Sequence, residues 1–421
     1  MSAADDRAVT LNGVTYRWPR CPVVVVCIDG GDPAYFEQAG RDGIIPNVER
    51  FMAQGFGAVS DGIVPSLTNP NNLSIVTGSP PAVHGISGNY FLDPDTGDAV
   101  MMNDPEFVRS ESLLAEFSQR GARVVAITAK DKLRRQLGRG INIAGGSMNF
   151  SSERADQCTR EENGIEQVLD LVGWPLPDVY SAELSLFVLE AGIKLLERDR
   201  PELMYLSLTD YIQHKYAPGT PEINDFYARL DDAFGRLAAL GAVVGITADH
   251  GMNDKSRLDG SPNVIYLQDV LDGEFGAGRT RVILPITDPY VVHHGSLGGF
   301  ARVYCYDGVT PEAVMRVARE LPGMEAVYDK AAVCAAFDLP PDREGDVAVS
   351  SAADTAIGIS AAAHDLSALQ GFRLRSHGGI SERRVPFILS APLNEAYAAR
   401  AATGTLQSYE IFDYAINGVA V

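Results

Sequence analysis

Residues 23–32 read VVVVCIDGGD, six consecutive apolar residues followed by an aspartate and two glycines. A short run that is apolar at every position and rich in β-branched residues is typical of a parallel strand buried on both faces of a sheet. The same pattern recurs before Asp210 and before Asp249. Ligands of open α/β sheets bind just beyond the carboxyl ends of the strands. We therefore expect Asp29, Asp210 and Asp249 to meet at one edge of a sheet.

Histidines accompany two of these aspartates. His214 follows Asp210 by four residues, so both lie on one face if a helix begins after the strand. His250 directly follows Asp249, and adjacent ionisable residues beyond a buried strand are costly to desolvate unless they are paired or bind a metal. Carboxylates and imidazoles at one sheet edge are what a hydrolytic metal site needs. The alternatives are a turn carboxylate at Asp29 and a structural, partly buried histidine at His214.

The order of elements predicts an α/β fold with a mostly parallel sheet flanked by helices, plus a smaller α+β cap insertion. The predicted strands are Val23–Ile28, Val124–Thr128, Met204–Thr209, Val243–Thr247 and Val385–Leu389, and the predicted helices are Ile45–Gln54, Asn69–Thr77, Glu111–Arg120, Glu183–Arg198 and Ile223–Leu240. Residues 255–370 predict the cap, with antiparallel strands at Asn263–Leu267 and Ala301–Tyr306. Residues 1–254 and 371–421 would form the metal-binding core.

Composition narrows the classes of partner. The formal net charge of −20 argues against nucleic acid and anionic membranes, because both need a basic face. An acidic protein that handles an anionic substrate must create local positive charge, and bound divalent cations would supply it. Five cysteines without Cys-x-x-Cys spacing, and the absence of a signal-peptide pattern in the first twenty residues, predict a cytoplasmic protein. The sequence leaves the oligomeric state open, with a homodimer as one option.

Thr68 precedes the predicted helix Asn69–Thr77, which has Pro70 in its first turn. This is the usual place for an N-cap, and one interpretation is that Thr68 only caps the helix. The other is that its hydroxyl attacks phosphorus, because a helix N-terminus favours an anion and an adjacent metal lowers the pKa of an alcohol. Beside the predicted metal ligands, we favour the nucleophile.

Taken in chain order, these residues form a set that spans nearly the whole sequence. It comprises Asp29, Thr68, Asp210, His214, Asp249, His250 and His377. The set resembles the alkaline phosphatase superfamily, whose members place in this order an Asp after the first strand, a Ser or Thr nucleophile at a helix start, Asp-x-x-x-His, Asp-His-Gly and a late His-Gly. The threonine and the size of the insertion are similar to the branch that contains phosphodiesterases, nucleotide pyrophosphatases and hydrolases of phosphonoacetate.

This resemblance implies an alkaline-phosphatase-like core that binds two zinc ions. The implied ligands of one zinc are Asp210, His214 and His377. The implied ligands of the other are Asp29, Asp249, His250 and the oxygen of Thr68. The resemblance further implies that an asparagine contacts the phosphoryl oxygens, and Asn89 matches it. The residues expected to contact the substrate are Thr68, Asn89, Lys130, Lys132 and His214.

Residues 130–135 read KDKLRR, which places four cations in six positions of an acidic protein. A solvated helix face explains such a cluster, and we favour this interpretation for Arg134 and Arg135. Lys130 and Lys132, nearest the preceding strand, would instead face the site. Paired lysines beside a dimetal phosphoryl site suit a substrate with a second anionic end, such as a carboxylate. The resemblance implies that lysines of this region hold that carboxylate.

These observations predict a dizinc hydrolase that cleaves the carbon–phosphorus bond of phosphonoacetate through a phosphothreonine at Thr68. A phosphodiesterase, nucleotide pyrophosphatase or phosphomonoesterase of the same superfamily is the alternative. A nucleotide-handling relative would show aromatic residues that stack a base, which the sequence does not identify. A non-catalytic phosphonate- or metal-binding protein is the third option. The predicted partner is a small-molecule phosphonate, and His293 and His294 are interpreted as a surface pair.

Overall fold

The computed structural model describes residues 7–287, 295–369 and 371–420, so His293 and His294 lie outside the described residues. The strands are β1 Val9–Leu11, β2 Val14–Tyr16, β3 Val23–Cys27, β4 Phe56–Asp61, β5 Tyr90–Leu92, β6 Ala99–Met101, β7 Val124–Thr128, β8 Met148–Ser151, β9 Leu203–Ser207, β10 Val243–Thr247, β11 Asn253–Asp254, β12 Val264–Tyr266, β13 Thr280–Ile283, β14 Phe300–Cys305, β15 Met324–Asp329, β16 Val347–Ser351, β17 Ala356–Gly358, β18 Arg375–Ser376 and β19 Arg384–Leu389.

The α-helices are α1 Pro33–Arg41, α2 Pro46–Gln54, α3 Thr68–Thr77, α4 Pro81–His84, α5 Leu113–Gln119, α6 Asp131–Leu137, α7 Arg160–Asn163, α8 Val168–Val172, α9 Glu183–Asp199, α10 Tyr211–Lys215, α11 Pro221–Ala239, α12 Leu267–Phe275, α13 Pro311–Arg319, α14 Lys330–Phe337, α15 Glu395–Thr403 and α16 Ile411–Asp413. Short 3-10 turns lie at Pro105–Phe107, Ser152–Gln157, Pro341–Arg343, Ala361–Ala363, Ser367–Leu369, Ile380–Glu382 and Ser408–Glu410, and a π-helical turn at Tyr414–Gly418.

Seven strands form the central sheet, in the spatial order β4-β19-β10-β3-β9-β7-β8. Strand β19 is antiparallel to both of its neighbours, and the other pairs are parallel. Every residue of β3, β7, β9 and β10 is buried. Burial on both faces is what a continuous apolar run predicts for a parallel strand covered by helices on each side. The predicted mostly parallel α/β sheet is therefore confirmed.

Side chains alternate between the two faces of this sheet. Val24 and Val26 pack with helices α9 and α11 in one cluster of buried residues. Val23 and Val25 pack on the other face with residues of α3 and α5. Helix α3, which begins at Thr68, is buried at every position from Asn69 to Thr77 and packs against this face of the sheet.

A second, four-stranded sheet has the order β13-β14-β16-β15 and is antiparallel throughout. It packs with α12 and α13 around its own apolar cluster. Its strands fall between Thr280 and Ser351, inside the predicted cap insertion, whose boundaries at 255 and 370 stay a prediction. Arg302 of β14 is fully buried and pairs with Glu344. The same guanidinium donates to the carbonyl oxygens of Ser87 and Tyr90, so the second sheet holds the turn that carries Asn89.

Two sequence-based details need correction. The strand predicted at Asn263–Leu267 was expected to be antiparallel, but its counterpart β12 pairs in parallel with β17. Thr68 is the first residue of α3, and Leu67 occupies the N-cap position without a side-chain hydrogen bond. The threonine hydroxyl is therefore not used for capping. Among the residues that the structure describes, no helix is both long and apolar enough to cross a bilayer.

Candidate active site

The three strand-end aspartates meet at one edge of the central sheet. Strands β10, β3 and β9 are adjacent and parallel, so their carboxyl ends point the same way. Asp249, Asp29 and Asp210 follow these strands within three residues and are all buried. Gly30 adopts φ = +67°, and a Cβ there would lie 3.2 Å from the Cβ of Asp210. The glycine after Asp29 therefore lets the backbone pass close to the Asp210 side chain.

Asp210, His214 and His377 form one group of potential metal ligands. Their ligand atoms all lie within 4.8 Å of one another. His214 lies one turn after Asp210 on α10, and its Nε2 is 2.7 Å from Asp210 Oδ2. His377 arrives from a distant part of the sequence, with its Nε2 3.7 Å from the same oxygen. The predicted helical spacing of Asp210 and His214 thus places both side chains together.

Asp29 and His250 form the centre of a second group. His250 Nε2 lies 3.2 Å from Asp29 Oδ1 and 3.8 Å from Asp249 Oδ2. Thr68 Oγ1 lies 3.3 Å from His250 Nε2 and 3.5 Å from Asp29 Oδ1. Asp210 also lies within 4.8 Å of the Asp29 and His250 ligand atoms. The two groups therefore adjoin, with Asp210 next to both.

The histidine tautomers favour a metal site. The Nδ1 atoms of His214, His250 and His377 each lie 2.7 to 2.9 Å from a backbone carbonyl oxygen, belonging to Arg375, Gly251 and Ser66 respectively. A carbonyl only accepts, so Nδ1 carries a proton in each ring and Nε2 is the nitrogen that a metal ion would bind. Metal-binding histidines commonly have this arrangement, in which one nitrogen is hydrogen-bonded and the other binds the ion. The donor set therefore fits divalent cations.

Electrostatics indicate the same need for positive charge. Burial raises the pKa of the Asp29 carboxyl well above its usual range, and the charges of Asp210 and Asp249 add to the effect. Burial also raises the pKa of Asp249. Burial by itself would lower the pKa of His250, but the carboxylates of Asp249 and Asp29 raise it to about 10. Buried carboxylates this close together require protons or cations, and bound metal ions are often the largest charges in such sites.

A buried ion pair holds the loops that carry His250 and His377. Glu382 Oε2 accepts a hydrogen bond from Gly379 N at 2.8 Å, and its backbone oxygen accepts one from Gly251 N at 2.6 Å. Lys255 Nζ lies 2.8 Å from Glu382 Oε1, and both side chains are fully buried. The two imidazole rings stack with centroids 3.5 Å apart. The late His-Gly segment is therefore anchored directly to the loop after β10.

A cavity of about 110 Å³ opens above the metal-ligand groups. Its lining includes Asp29, Thr68, Asn89, Lys130, Lys132, Asp210, His214 and His377. Asp249 and His250 lie beneath it and are fully buried. The ten predicted site residues are thus brought together around one small space.

Two aromatic residues of the cavity escaped the sequence reasoning. Tyr180 and Tyr211 both line it, and their ring centroids are 5.5 Å apart. Tyr211 directly follows Asp210, so its position next to a ligand was available as a signal. Tyr180 lies in an irregular stretch before α9 and has no such signal. Lys130 Nζ lies 5.5 Å from the centre of the Tyr180 ring and 3.4 Å from the carbonyl oxygen of Val179.

Of the two arginines in residues 130–135 that were predicted to be solvated, only one is exposed. Arg135 is exposed as expected, but Arg134 is buried and pairs with Asp131 at 2.6 Å and with Glu162 at 2.9 Å. The interpretation of Arg134 as a solvated residue is therefore wrong, because Asp131 one turn earlier and the distant Glu162 pair with its buried guanidinium. Lys132, in the first turn of α6, lines the cavity.

A family model of type I phosphodiesterases and nucleotide pyrophosphatases matches residues 23–365. Among curated proteins, an uncharacterised pyrophosphatase/phosphodiesterase of Schizosaccharomyces pombe is 24% identical over 254 residues, which cover 59% of this chain and 44% of that protein. An ectonucleotide pyrophosphatase/phosphodiesterase of Caenorhabditis elegans is 24% identical over 265 residues, covering 56% of this chain and 31% of that protein. The chain thus spans less than half the length of these two relatives.

Solved structures include much more similar chains. A crystal structure of phosphonoacetate hydrolase from Sinorhizobium meliloti in complex with phosphonoformate is 48% identical, with a TM-score of 0.94, and the match covers 98% of this chain and 99% of that one. The complex with phosphonoacetate matches with a TM-score of 0.93 at the same identity and coverage. Murine ectonucleotide pyrophosphatase/phosphodiesterase 5 is 18% identical, with a TM-score of 0.61 and coverage of 95% and 96%, which concerns the fold alone.

Proposed function

The chain belongs to the type I phosphodiesterase/nucleotide pyrophosphatase family, and from this premise we propose that it hydrolyses the carbon–phosphorus bond of phosphonoacetate to acetate and phosphate. The observation that carries the proposal is the composition of the cavity. Lys130 and Lys132 line the same cavity of about 110 Å³ as Thr68. A cavity of this size with two ammonium groups beside a phosphoryl-binding edge suits a small substrate that is anionic at both ends.

The family is metal-dependent, and we propose that this chain binds two zinc ions. The first set of ligands comprises Asp210, His214 and His377. The second set comprises Asp29, Asp249, His250 and the Thr68 oxygen. When bound, these cations supply positive charge to the phosphonate oxygens and lower the pKa of the Thr68 hydroxyl. Zinc is proposed because three of the ligands are imidazoles, which suit that ion.

Thr68 is the proposed nucleophile. Its hydroxyl proton is released to solvent, a bond forms between Oγ1 and phosphorus as the phosphorus–carbon bond breaks, and the bonding electron pair leaves with the carbon. The departing carbanion is the enolate of acetate, which places its charge on the carboxylate oxygens and then takes a proton from solvent. Lys130 and Lys132 hold those oxygens and stabilise their charge. Water then cleaves the phosphothreonine, so the sum is phosphonoacetate plus water giving acetate plus phosphate.

Asn89 is the proposed contact to the phosphonate oxygens. Its backbone nitrogen donates to Pro285 O at 2.7 Å, and its side-chain nitrogen lies 3.3 Å from Ile286 O. These bonds hold the amide at the wall of the cavity. The turn is further held by Arg302 from the second sheet. A fixed donor needs no reorganisation when charge develops on the phosphoryl group.

The alternative within the family is a phosphodiesterase or nucleotide pyrophosphatase, or a phosphomonoesterase, with an oxygen leaving group. Tyr180 and Tyr211 favour it, because aromatic rings beside a cavity can stack a base. The two lysines of the cavity argue against it, since a neutral base offers no second anionic group for them to hold. We therefore rank the phosphonoacetate reaction first.

Phosphorus NMR on zinc-loaded protein tests the proposal. We expect inorganic phosphate to appear from phosphonoacetate and hardly at all from a nitrophenyl phosphodiester. Faster turnover of the diester would identify the alternative. No turnover of either substrate by a protein that holds its metal would favour a non-catalytic phosphonate- or metal-binding role.

Location and assembly also remain proposals. Five free cysteines favour a reducing compartment, and we propose a cytoplasmic protein. The oligomeric state stays open, with a homodimer as one option, and we propose no nucleic acid or membrane as partner. Light scattering coupled to size-exclusion chromatography measures the mass directly, and a mass of one chain would contradict the dimer.

A further inference from the structure

Asn72 lies one turn after Thr68 on α3 and is fully buried. Its side-chain nitrogen lies 3.0 Å from the carbonyl oxygen of Thr68 and 3.2 Å from Asp249 Oδ2. Its side-chain oxygen accepts hydrogen bonds from the hydroxyl of Tyr205 at 2.7 Å and from that of Ser207 at 2.9 Å. One amide thus contacts the proposed nucleophile's own residue, a proposed metal ligand and two hydroxyls of β9.

The orientation of this amide follows from its partners. A carbonyl oxygen and a carboxylate oxygen only accept, so the side chain must turn its nitrogen towards Thr68 and Asp249. Both amide protons and both lone pairs of the oxygen are then used. A buried polar group whose hydrogen bonds are all satisfied holds one geometry, because any rotation leaves a buried group unpaired.

The Asp249 carboxylate is hydrogen-bonded through both of its oxygens. Its Oδ1 accepts hydrogen bonds from the backbone nitrogens of Gly30 and His250, at 3.2 and 3.0 Å. Its Oδ2 accepts from Asn72, the side-chain donor among the three. The rotation of the Asp249 carboxylate is therefore set jointly by the backbone of the loops after β3 and β10 and by the helix that begins at Thr68.

We propose that Asn72 is a positioning residue that fixes Thr68 and Asp249 relative to each other. Through Asp249 it strengthens the binding of one metal ion and not of the other. The inference rests on the proposed function, because it assumes that Asp29, Asp249 and His250 hold one cation. The four hydrogen bonds of the Asn72 side chain go to Thr68, Asp249, Tyr205 and Ser207, so within the described residues they reach the second proposed ligand set and not the first. Partners of metal ligands typically change metal affinity or activity about 10–100-fold when mutated.

The test is Asn72→Asp, which keeps the shape of the side chain and replaces its hydrogen-bond donor, the amide nitrogen, by an oxygen that accepts. An oxygen would then face Asp249 Oδ2 and the Thr68 carbonyl, both acceptors, and would displace the carboxylate. Zinc titrated into chelator-treated protein against a competing chelator measures both sites. We expect one zinc to bind roughly 10–100-fold more weakly and the other to stay within about threefold of wild type. A purely structural role would weaken both zincs together.

Asn71→Asp is the matched control. Asn71 is equally buried on the same helix, but its side chain bonds to the backbone of Ile63 and Leu67 and to no proposed ligand. This variant should lower stability and leave the ratio of the two zinc affinities unchanged. If Asn72→Asp does not fold, the double variant Tyr205→Phe, Ser207→Ala removes both donors to the amide oxygen and should weaken the same single zinc.

Two results would overturn the inference. One is an Asn72→Asp protein that binds both zincs within about threefold of wild type, and the other is equal weakening of both. The zinc readout is independent of turnover. If Asn72→Asp weakens one zinc as expected while zinc-loaded wild type releases no phosphate from phosphonoacetate, the proposed function is overturned and the role of Asn72 stands.

Discussion

Thr68 is the residue on which the chemistry depends most directly. Its hydroxyl makes no capping hydrogen bond and lies instead within 3.5 Å of Asp29 and His250. We expect Thr68→Ala to lose roughly 10³-fold or more in kcat, because no other oxygen replaces the nucleophile. The zinc content, measured by atomic emission, should stay close to wild type, since the aspartates and histidines remain. A Thr68→Ala protein with wild-type turnover would disprove the assignment.

Lys130 is the residue that tests the proposed choice of substrate. Removing an ammonium group that holds a carboxylate costs roughly 1.5–3 kcal/mol, which corresponds to about a 10–150-fold loss. We expect Lys130→Ala to lower kcat/KM for phosphonoacetate by this factor and to spare a nitrophenyl phosphate ester, which has no carboxylate. The control is Arg135→Ala, because Arg135 is exposed on the same helix. Equal losses on both substrates would remove the argument for a carboxylate.

The ten predicted residues of the candidate site lie together in the structure, and the residues that the sequence misplaced or missed have physical explanations. The sequence predicted the three strand-end aspartates because each follows an apolar run that is typical of a buried strand. They are Asp29, Asp210 and Asp249. Arg134 was misjudged because its partner Glu162 comes from a distant element. Tyr180 was missed because an irregular segment carries no periodicity that indicates where a side chain points.

A hydrogen bond to helix α4 holds helix α3 in addition to its contacts with the central sheet. Ser74 on α3 is bonded to His84 on α4, with Ser74 Oγ 2.8 Å from Nε2. His84 Nδ1 accepts a hydrogen bond from Ile86 N at 3.2 Å, so the imidazole must be neutral to keep both bonds. Burial, with the charge of Arg343, lowers the pKa of His84 to about 3. The helix that begins at Thr68 is therefore held at its far end by an uncharged histidine.

This lowered pKa predicts acid sensitivity. The unfolded chain protonates His84 near pH 6.5, whereas the folded protein resists until about pH 3. Its contribution to stability is thus complete above pH 6.5 and is lost progressively as the pH falls towards 3. Urea unfolding at several pH values measures the free energy of unfolding. Between pH 6.5 and 3 this free energy should fall less for His84→Gln than for wild type. An equal fall in both proteins would contradict the neutral state of His84.

Sequence patterns predicted the positions of some strands well but did not predict how every strand pairs. Fully apolar strands such as β3 and β10 were located to within a residue or two, because burial on both faces leaves a continuous signal. Strand β12 is half-buried and three residues long, so its pattern could not tell parallel from antiparallel pairing. Pairing depends on which distant strand arrives beside it, and local sequence does not encode that.

At the scale of the whole molecule, the site joins parts of the chain that are far apart in sequence. Metal ions that bind the folded chain and not the unfolded one stabilise it by mass action, by about 2.7 kcal/mol per ion at a hundredfold excess over the Kd. We therefore expect a chelator to lower the melting temperature and zinc to restore it. Calorimetry with and without chelator measures the effect, and coincident transitions would argue against metal binding by the folded state.

The position of β19 in the central sheet has a consequence for synthesis. Strand β4 pairs with β19, which also fills the place beside β10, yet β4 ends at Asp61 and β19 begins at Arg384. A nascent chain on the ribosome therefore carries β4 without its ladder partner until translation has passed residue 389. We predict that ribosome-bound chains halted before β19 are cleaved by protease within β4 and that longer ones are protected. His377 emerges at the same late stage, so the sheet and the metal-ligand set become complete together.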